Sequence, residues 1–180
     1  MTEKITLVDD QDNIIGFEEK LKTHQVALLH RAFSIFIFNS KGQMLIQQRA
    51  LDKYHSGGLW ANSCCSHQRK GEKLEQAIHR RLKEEMNFDC ELKEIFTFTY
   101  KTPYENGLTE YEFDHVFIGF YDSAVNPNPK ETQTINWVEP TQLLTKVDLH
   151  PEQFASWFKI ALPRVLDYYK KCFNVIKFRQ

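Results

Sequence analysis

The stretch Phe33-Ser-Ile-Phe-Ile-Phe38, followed by Asn39-Ser-Lys-Gly42 and then Met44-Leu-Ile46, decides the fold class. Two apolar, β-prone segments flank a turn that contains glycine, which is the signature of a hairpin. Downstream, Leu74, Ala77, Ile78, Leu82 and Met86 recur at three- and four-residue spacing between Lys73 and Met86. One stripe of a helix is therefore buried and the rest is charged, with Asn87 at the C-cap position. Ile95 to Tyr100 and Thr109 to Tyr121 read as a second hairpin around the turn-like Pro103-Tyr-Glu-Asn-Gly107. Thr132 to Val138 is a further strand, Pro140 to Leu144 a short helix, and Pro151 to Cys172 a long one. That last helix carries Phe154, Trp157, Phe158, Ala161, Leu162, Val165, Leu166 and Tyr169 on one face, so it lies on the sheet. The order of elements predicts a mixed α/β (α+β) sandwich, a mixed β-sheet flanked by helices.

Working outward, 180 residues without repeats or low-complexity tracts predict one domain over 1–180. A chain this size buries roughly 70% of its unfolded surface, so any metal it binds serves function rather than bare folding. Lys and Arg total 23 against 24 Asp and Glu, a net charge of −1. That balance argues against a nucleic-acid or anionic-membrane partner, although it leaves room for a local basic patch. No apolar run approaches the ~20 residues of a membrane span, and Met1-Thr2-Glu3-Lys4 lacks a signal peptide's apolar stretch, so the expected location is the cytoplasm. The four cysteines form neither a disulfide framework nor a CxxC pair.

Several constellations carry chemistry. In Ala61-Asn-Ser-Cys-Cys-Ser-His67 an extended backbone points Cys65 and His67 to one face and Cys64 to the other. The plain alternative is a buried thiol beside a surface histidine. In Glu110-Tyr-Glu-Phe-Asp114 strand alternation aligns Glu110, Glu112 and Asp114 with Val116, Ile118 and Phe120. Carboxylates on a face about to be buried are costly unless they bind a cation or protons; the alternative is a solvated strand end. His24 and His30 are six apart, wrong for a helical metal pair, but with His67, Glu110 and Glu112 they offer three nitrogens and two carboxylates. That mix suits a divalent transition ion such as Mn2+ or Zn2+. Glu84 and Glu85 stand at i, i+4 from Arg80 and Arg81, which on spacing alone reads as ion pairs on a solvated helix face. Lys20, Arg49 and Lys53 add cations of the kind that hold a phosphorylated ligand.

Taken together, these residues resemble a diverged Nudix box. The register places Ser66 and Asn87 where the pattern has glycine and Arg81 where it has glutamate, and keeps Glu72 and, in Arg80-Arg81-Leu82-Lys83-Glu84-Glu85, the arginine Arg80 and the pair Glu84 and Glu85. The departures resemble the type I isopentenyl-diphosphate isomerases, from about Glu18 to Trp157: Lys20 with His24, His30-Arg-Ala-Phe33, Gln48-Arg-Ala-Leu51, Lys53, Gly58-Leu-Trp60, Asn62-Ser-Cys-Cys-Ser-His67, Glu110-Tyr-Glu112 and Trp157. The resemblance implies a Nudix-type sandwich and a 1,3-proton shift on a small diphosphate substrate, through a tertiary carbocation, by a monomer or homodimer. It implies that His24, His30, His67, Glu110 and Glu112 hold the transition ion and that Cys65 and Glu112 are the catalytic pair, Glu112 being paired with Tyr100. Glu85 and the Cys65 backbone carbonyl would bind a Mg2+ that meets the diphosphate, with Lys20, Arg49, Lys53 and Arg81 around the phosphates. Trp157, a core residue by periodicity, would face the carbocation. The rival enzyme is a Nudix pyrophosphohydrolase built on Glu72, Glu84 and Glu85; a metal-binding or redox-sensing module would use Cys64 and Cys65.

Overall fold

The computed structural model describes residues 2–53 and 55–177, with side chains described as far as residue 172. Strands β1 (Lys4–Val8) and β2 (Ile14–Glu19) lead into a short helix α1 (Lys20–Gln25). Then come β3 (His30–Phe38), β4 (Met44–Arg49), β5 (Trp60–Asn62), β6 (Cys64–His67), helix α2 (Leu74–Met86), β7 (Leu92–Pro103), β8 (Thr109–Phe120) and β9 (Thr132–Val138). Helix α3 (Pro140–Leu149), a 3-10 turn (Pro151–Gln153) and helix α4 (Ser156–Lys177) close the order.

Strand β3 is the hub of the sheet. It turns into β4 through a tight loop in which Gly42 takes φ 82°, a left-handed value that a side chain would resist. It runs antiparallel to β6 and parallel to β8, the latter in register from His30↔Glu112 to Phe38↔Phe120. Strands β7 and β8 form the second hairpin, and β9 pairs with β4. The apolar run of β3 is continuous because both faces of this mixed sheet are covered. Phe33, Ile35 and Ile37 pack with Ala77, Ile78, Leu82 and Met86 of α2, whereas Phe36 and Phe38 pack with the Trp157–Tyr169 stripe of α4. The result is a mixed sheet between helices, the α+β sandwich that the order of elements predicts.

The structure corrects several boundaries. The short helix runs on to Leu149, and the second hairpin is longer, Leu92–Pro103 against Thr109–Phe120. The expected single helix from Pro151 is broken: Phe154 is extended at φ −121°, ψ 141°, bridging Trp60, and the Ala155 N–H donates to the Trp60 carbonyl at 2.9 Å. That backbone bond to the sheet outweighs the helical pattern of the side chains. Glu85 is not on a solvated face; it is 4% exposed. No described helix is long and apolar enough to cross a membrane.

Candidate active site

Strand register builds the site. The parallel β3–β8 pairing sets His30 beside Glu112, the antiparallel β3–β6 pairing sets His67 beside Ala32, and α1 supplies His24. One ligand atom from each of His24, His30, His67 and Glu112 lies within 4.8 Å of the others, and all four side chains are buried. The His24 Nδ1 lies 2.7 Å from the Lys20 carbonyl and the His30 Nδ1 2.8 Å from the Leu28 carbonyl. A carbonyl only accepts, so each Nδ1 carries the proton and each Nε2 keeps a lone pair. His30 Nε2 is buried without a hydrogen bond and stands 3.5 Å from Glu112 Oε1, with His67 Nε2 2.9 Å from that same oxygen. Burial, then the neighbouring His30, push His24 down to about 4; burial holds His67 well below its usual range despite the nearby Glu112. Three imidazoles and a carboxylate oxygen gathered at one buried point fit a divalent transition ion.

Glu110 lies next to this group rather than within it. Its Oε2 accepts a 2.6 Å hydrogen bond from the Tyr104 hydroxyl and sits 3.1 Å from the Tyr100 hydroxyl, and its Oε1 is 3.2 Å from His55 Nε2. The Tyr100 hydroxyl lies 2.7 Å from Glu112 Oε2, so one phenol spans both carboxylates. Burial and the Glu112 charge push Glu110 up to about 8. Burial also opposes the Glu112 charge, but the close approach of the His30 and His67 rings to its oxygen prevails and holds that carboxyl low. The two carboxyl groups of one buried site are thus pushed in opposite directions. Asp114 continues the row, taking a 2.8 Å hydrogen bond from Ser34 Oγ.

Cys65, half-buried on β6, lines the same pocket as Glu112, Trp157 and the four expected cations Lys20, Arg49, Lys53 and Arg81. Arg49 Nη1 is 3.6 Å from Cys65 Sγ, and its guanidinium carbon is 5.1 Å from the Trp157 ring centroid. Burial raises the Cys65 thiol far above its usual range, and Arg49 opposes that. Cys64 points into the apolar layer under α2, so the adjacent cysteines cannot grip one ion or close on each other through this face. Arg81 pairs with Glu84 at 2.7 Å, Glu85 at 2.5 Å and Glu131 at 3.2 Å; Glu131 also pairs with Lys53. Glu85 is held a second time by Gln47 Nε2 at 3.1 Å. Glu72 is engaged by Arg80 at 2.6 and 3.0 Å. Ser66 sits in regular antiparallel pairing with Phe33 at an ordinary negative φ, while Asn87 occupies the left-handed C-cap of α2 at φ 57°.

Every residue expected at the site except Tyr100, His24 and His30 lines this pocket, and those three stand directly behind it. His55, Tyr104 and Glu131 were not foreseen. All three lie in or beside loops, where no periodicity marks a side chain as inward-facing.

A Nudix domain profile matches residues 28–158. Among curated proteins, the chain is 48% identical to isopentenyl-diphosphate Delta-isomerase 2 of Aromatoleum aromaticum over 92% of its own length and 88% of that protein. It is 50% identical to isopentenyl-diphosphate Delta-isomerase 2 of Photorhabdus laumondii, covering 88% and 90%. It is 48% identical to isopentenyl-diphosphate Delta-isomerase of Serratia proteamaculans, covering 88% of each. Among solved structures, a Deinococcus radiodurans protein superposes with TM-score 0.68 at 22% identity over 82% of this chain and 90% of that one. The MutT protein of Methanosarcina mazei superposes with TM-score 0.65 at 18% identity over 79% and 96%, which is likeness of fold alone. With the Nudix fold in hand and these relatives matched along most of its length, the chain belongs to the isopentenyl-diphosphate Delta-isomerase family.

Proposed function

We propose that the chain interconverts isopentenyl diphosphate and dimethylallyl diphosphate. The observation that carries this is one pocket in which a thiol, a carboxylate and an indole meet four cations. The reaction adds a proton to the terminal alkene carbon, forms a tertiary cation at the branch carbon, and removes a proton from the carbon on the far side. An alkene is a feeble base, so the acid must be well placed and water kept out. Cys65 and Glu112 are the proton-carrying pair, one giving and one taking, and Tyr100 keeps a proton within reach of Glu112. Trp157 turns an aromatic ring toward the cation, worth about 2 kcal/mol when desolvated. Lys20, Arg49, Lys53 and Arg81 hold the diphosphate, so that it is anchored rather than expelled as an allylic leaving group.

His24, His30, His67 and Glu112, with Glu110 alongside, would hold a Mn2+ or Zn2+ that strengthens Glu112 as an acid, and Glu85 with the Cys65 carbonyl a Mg2+ that neutralises diphosphate charge. The hydrolase reading loses ground because Glu72 and Glu84 are both spent on Arg80 and Arg81. Proton NMR of the protein with isopentenyl diphosphate in deuterated water should show deuterated dimethylallyl diphosphate. Its absence, together with phosphate release from nucleoside diphosphate derivatives, would establish the hydrolase instead.

A further inference from the structure

Trp157 stands in the first turn of α4, 2% exposed, and its indole N–H donates to Asn62 Oδ1 at 3.0 Å. Asn62, at the end of β5 and fully buried, uses its amide nitrogen twice more: toward the Cys64 carbonyl at 2.7 Å and the Ile35 carbonyl at 3.1 Å. Reversing that amide would set its oxygen against two acceptors, so the oxygen is fixed toward the indole. The Cys64 carbonyl belongs to the peptide whose nitrogen is that of Cys65. One side chain therefore ties the indole to the strand segment carrying the thiol. Packing alone does not call for this: Phe154 and Phe158 fill the same layer as plain rings.

We propose that Asn62 is a positioning residue for turnover, holding the Trp157 indole and the Cys65 peptide in one fixed relation across the pocket. This rests on the isomerase reading above, in which Trp157 faces the developing cation. A cation is attracted to the ring face and not to its edge, so tilt or slide of the indole weakens the transition state while leaving the diphosphate grip intact. The signature is a loss in kcat with little change in KM.

The test replaces Trp157 by its benzothiophene analogue, which keeps the bicyclic π face and deletes only the N–H, beside Asn62→Ala, Trp157→Phe and the double variant. For the analogue and for Asn62→Ala, kcat should fall by about tenfold or more and KM change by less than about threefold, the scale expected of a misaligned reacting geometry. In the Trp157→Phe background, where no N–H remains, Asn62→Ala should cost clearly less than it does in the parent, because the indole bond is already gone and only the amide's bonds to the Cys64 and Ile35 carbonyls are left to lose. An analogue with unchanged kcat, or an Asn62→Ala loss that multiplies fully in the Trp157→Phe background, overturns the proposal. Should Asn62→Ala fail to fold, the analogue alone still decides it. Full activity of Trp157→Phe would instead remove the reading of Trp157 itself, and the proposal with it.

Discussion

At the scale of single residues, the proton carriers and the ion ligands separate by what each substitution takes away. Cys65→Ala removes a thiol whose side chain is not a proposed ion ligand, so turnover should fall by about 10²–10⁴-fold, the usual worth of a positioned proton carrier, while bound Mn2+ or Zn2+ stays at the parent level by elemental analysis. Glu112→Gln keeps the volume and loses the charge that faces His30 and His67, so both turnover and metal content should fall. Substantial activity in Glu112→Gln would show that the carboxylate has been assigned wrongly. The pair Cys65 and His67 and the row Glu110, Glu112, Asp114 were legible in the sequence because strand alternation alone puts them on common faces. His55 and Glu131 were not, since a loop side chain turns inward only when the strands it joins are already in place. The same holds for the double hold on Glu110 by Tyr104 and His55, which requires the loop before β5 to fold back over the end of β8.

At the scale of elements, α2 shows how a substituted cap is accommodated. Asn87 takes the left-handed conformation for which the family pattern uses glycine, and its Nδ2 donates to the Asn126 carbonyl at 2.8 Å. Asn87→Ala keeps the strained φ and loses that bond, so urea denaturation should show a loss of about 1–2 kcal/mol. Asn87→Gly relieves the φ and loses the same bond, so it should stay within about 0.5 kcal/mol of the parent. Leu82→Ala, at the centre of the layer beneath α2, should cost about 2–5 kcal/mol by the same measurement. The stripes of α2 and α4 were legible because a single face of each is buried. The β1–β2 hairpin was not: in β2 the apolar Ile14, Ile15 and Phe17 fall on both faces of an edge strand and stay partly exposed, so no clean period of two emerges. The break before α4 was equally hidden, because it is dictated by the backbone of Trp60 on another strand.

At the scale of the whole molecule, the ion cluster joins α1, β3, β6 and β8, segments that only the completed sheet brings together. A group that binds the folded chain and not the unfolded one stabilises by mass action, about 4 kcal/mol at a thousandfold excess over its dissociation constant. For a chain of this size that corresponds to a rise in Tm of roughly 8–16 °C, at roughly 2–4 °C per kcal/mol. Stripping the protein with a chelator and adding back Mn2+ or Zn2+ should therefore move Tm by that order in scanning calorimetry. The shift should persist in Cys65→Ala and vanish in Glu112→Gln, because only the second loses a ligand. A Mg2+ titration should give much less, since three imidazole nitrogens do not suit a cation that prefers oxygen. If Mn2+ or Zn2+ stabilised stripped Glu112→Gln as strongly as the stripped parent, the His24, His30, His67 and Glu112 cluster would not be the ion site, and the gathering of three buried imidazoles around one carboxylate would need another explanation.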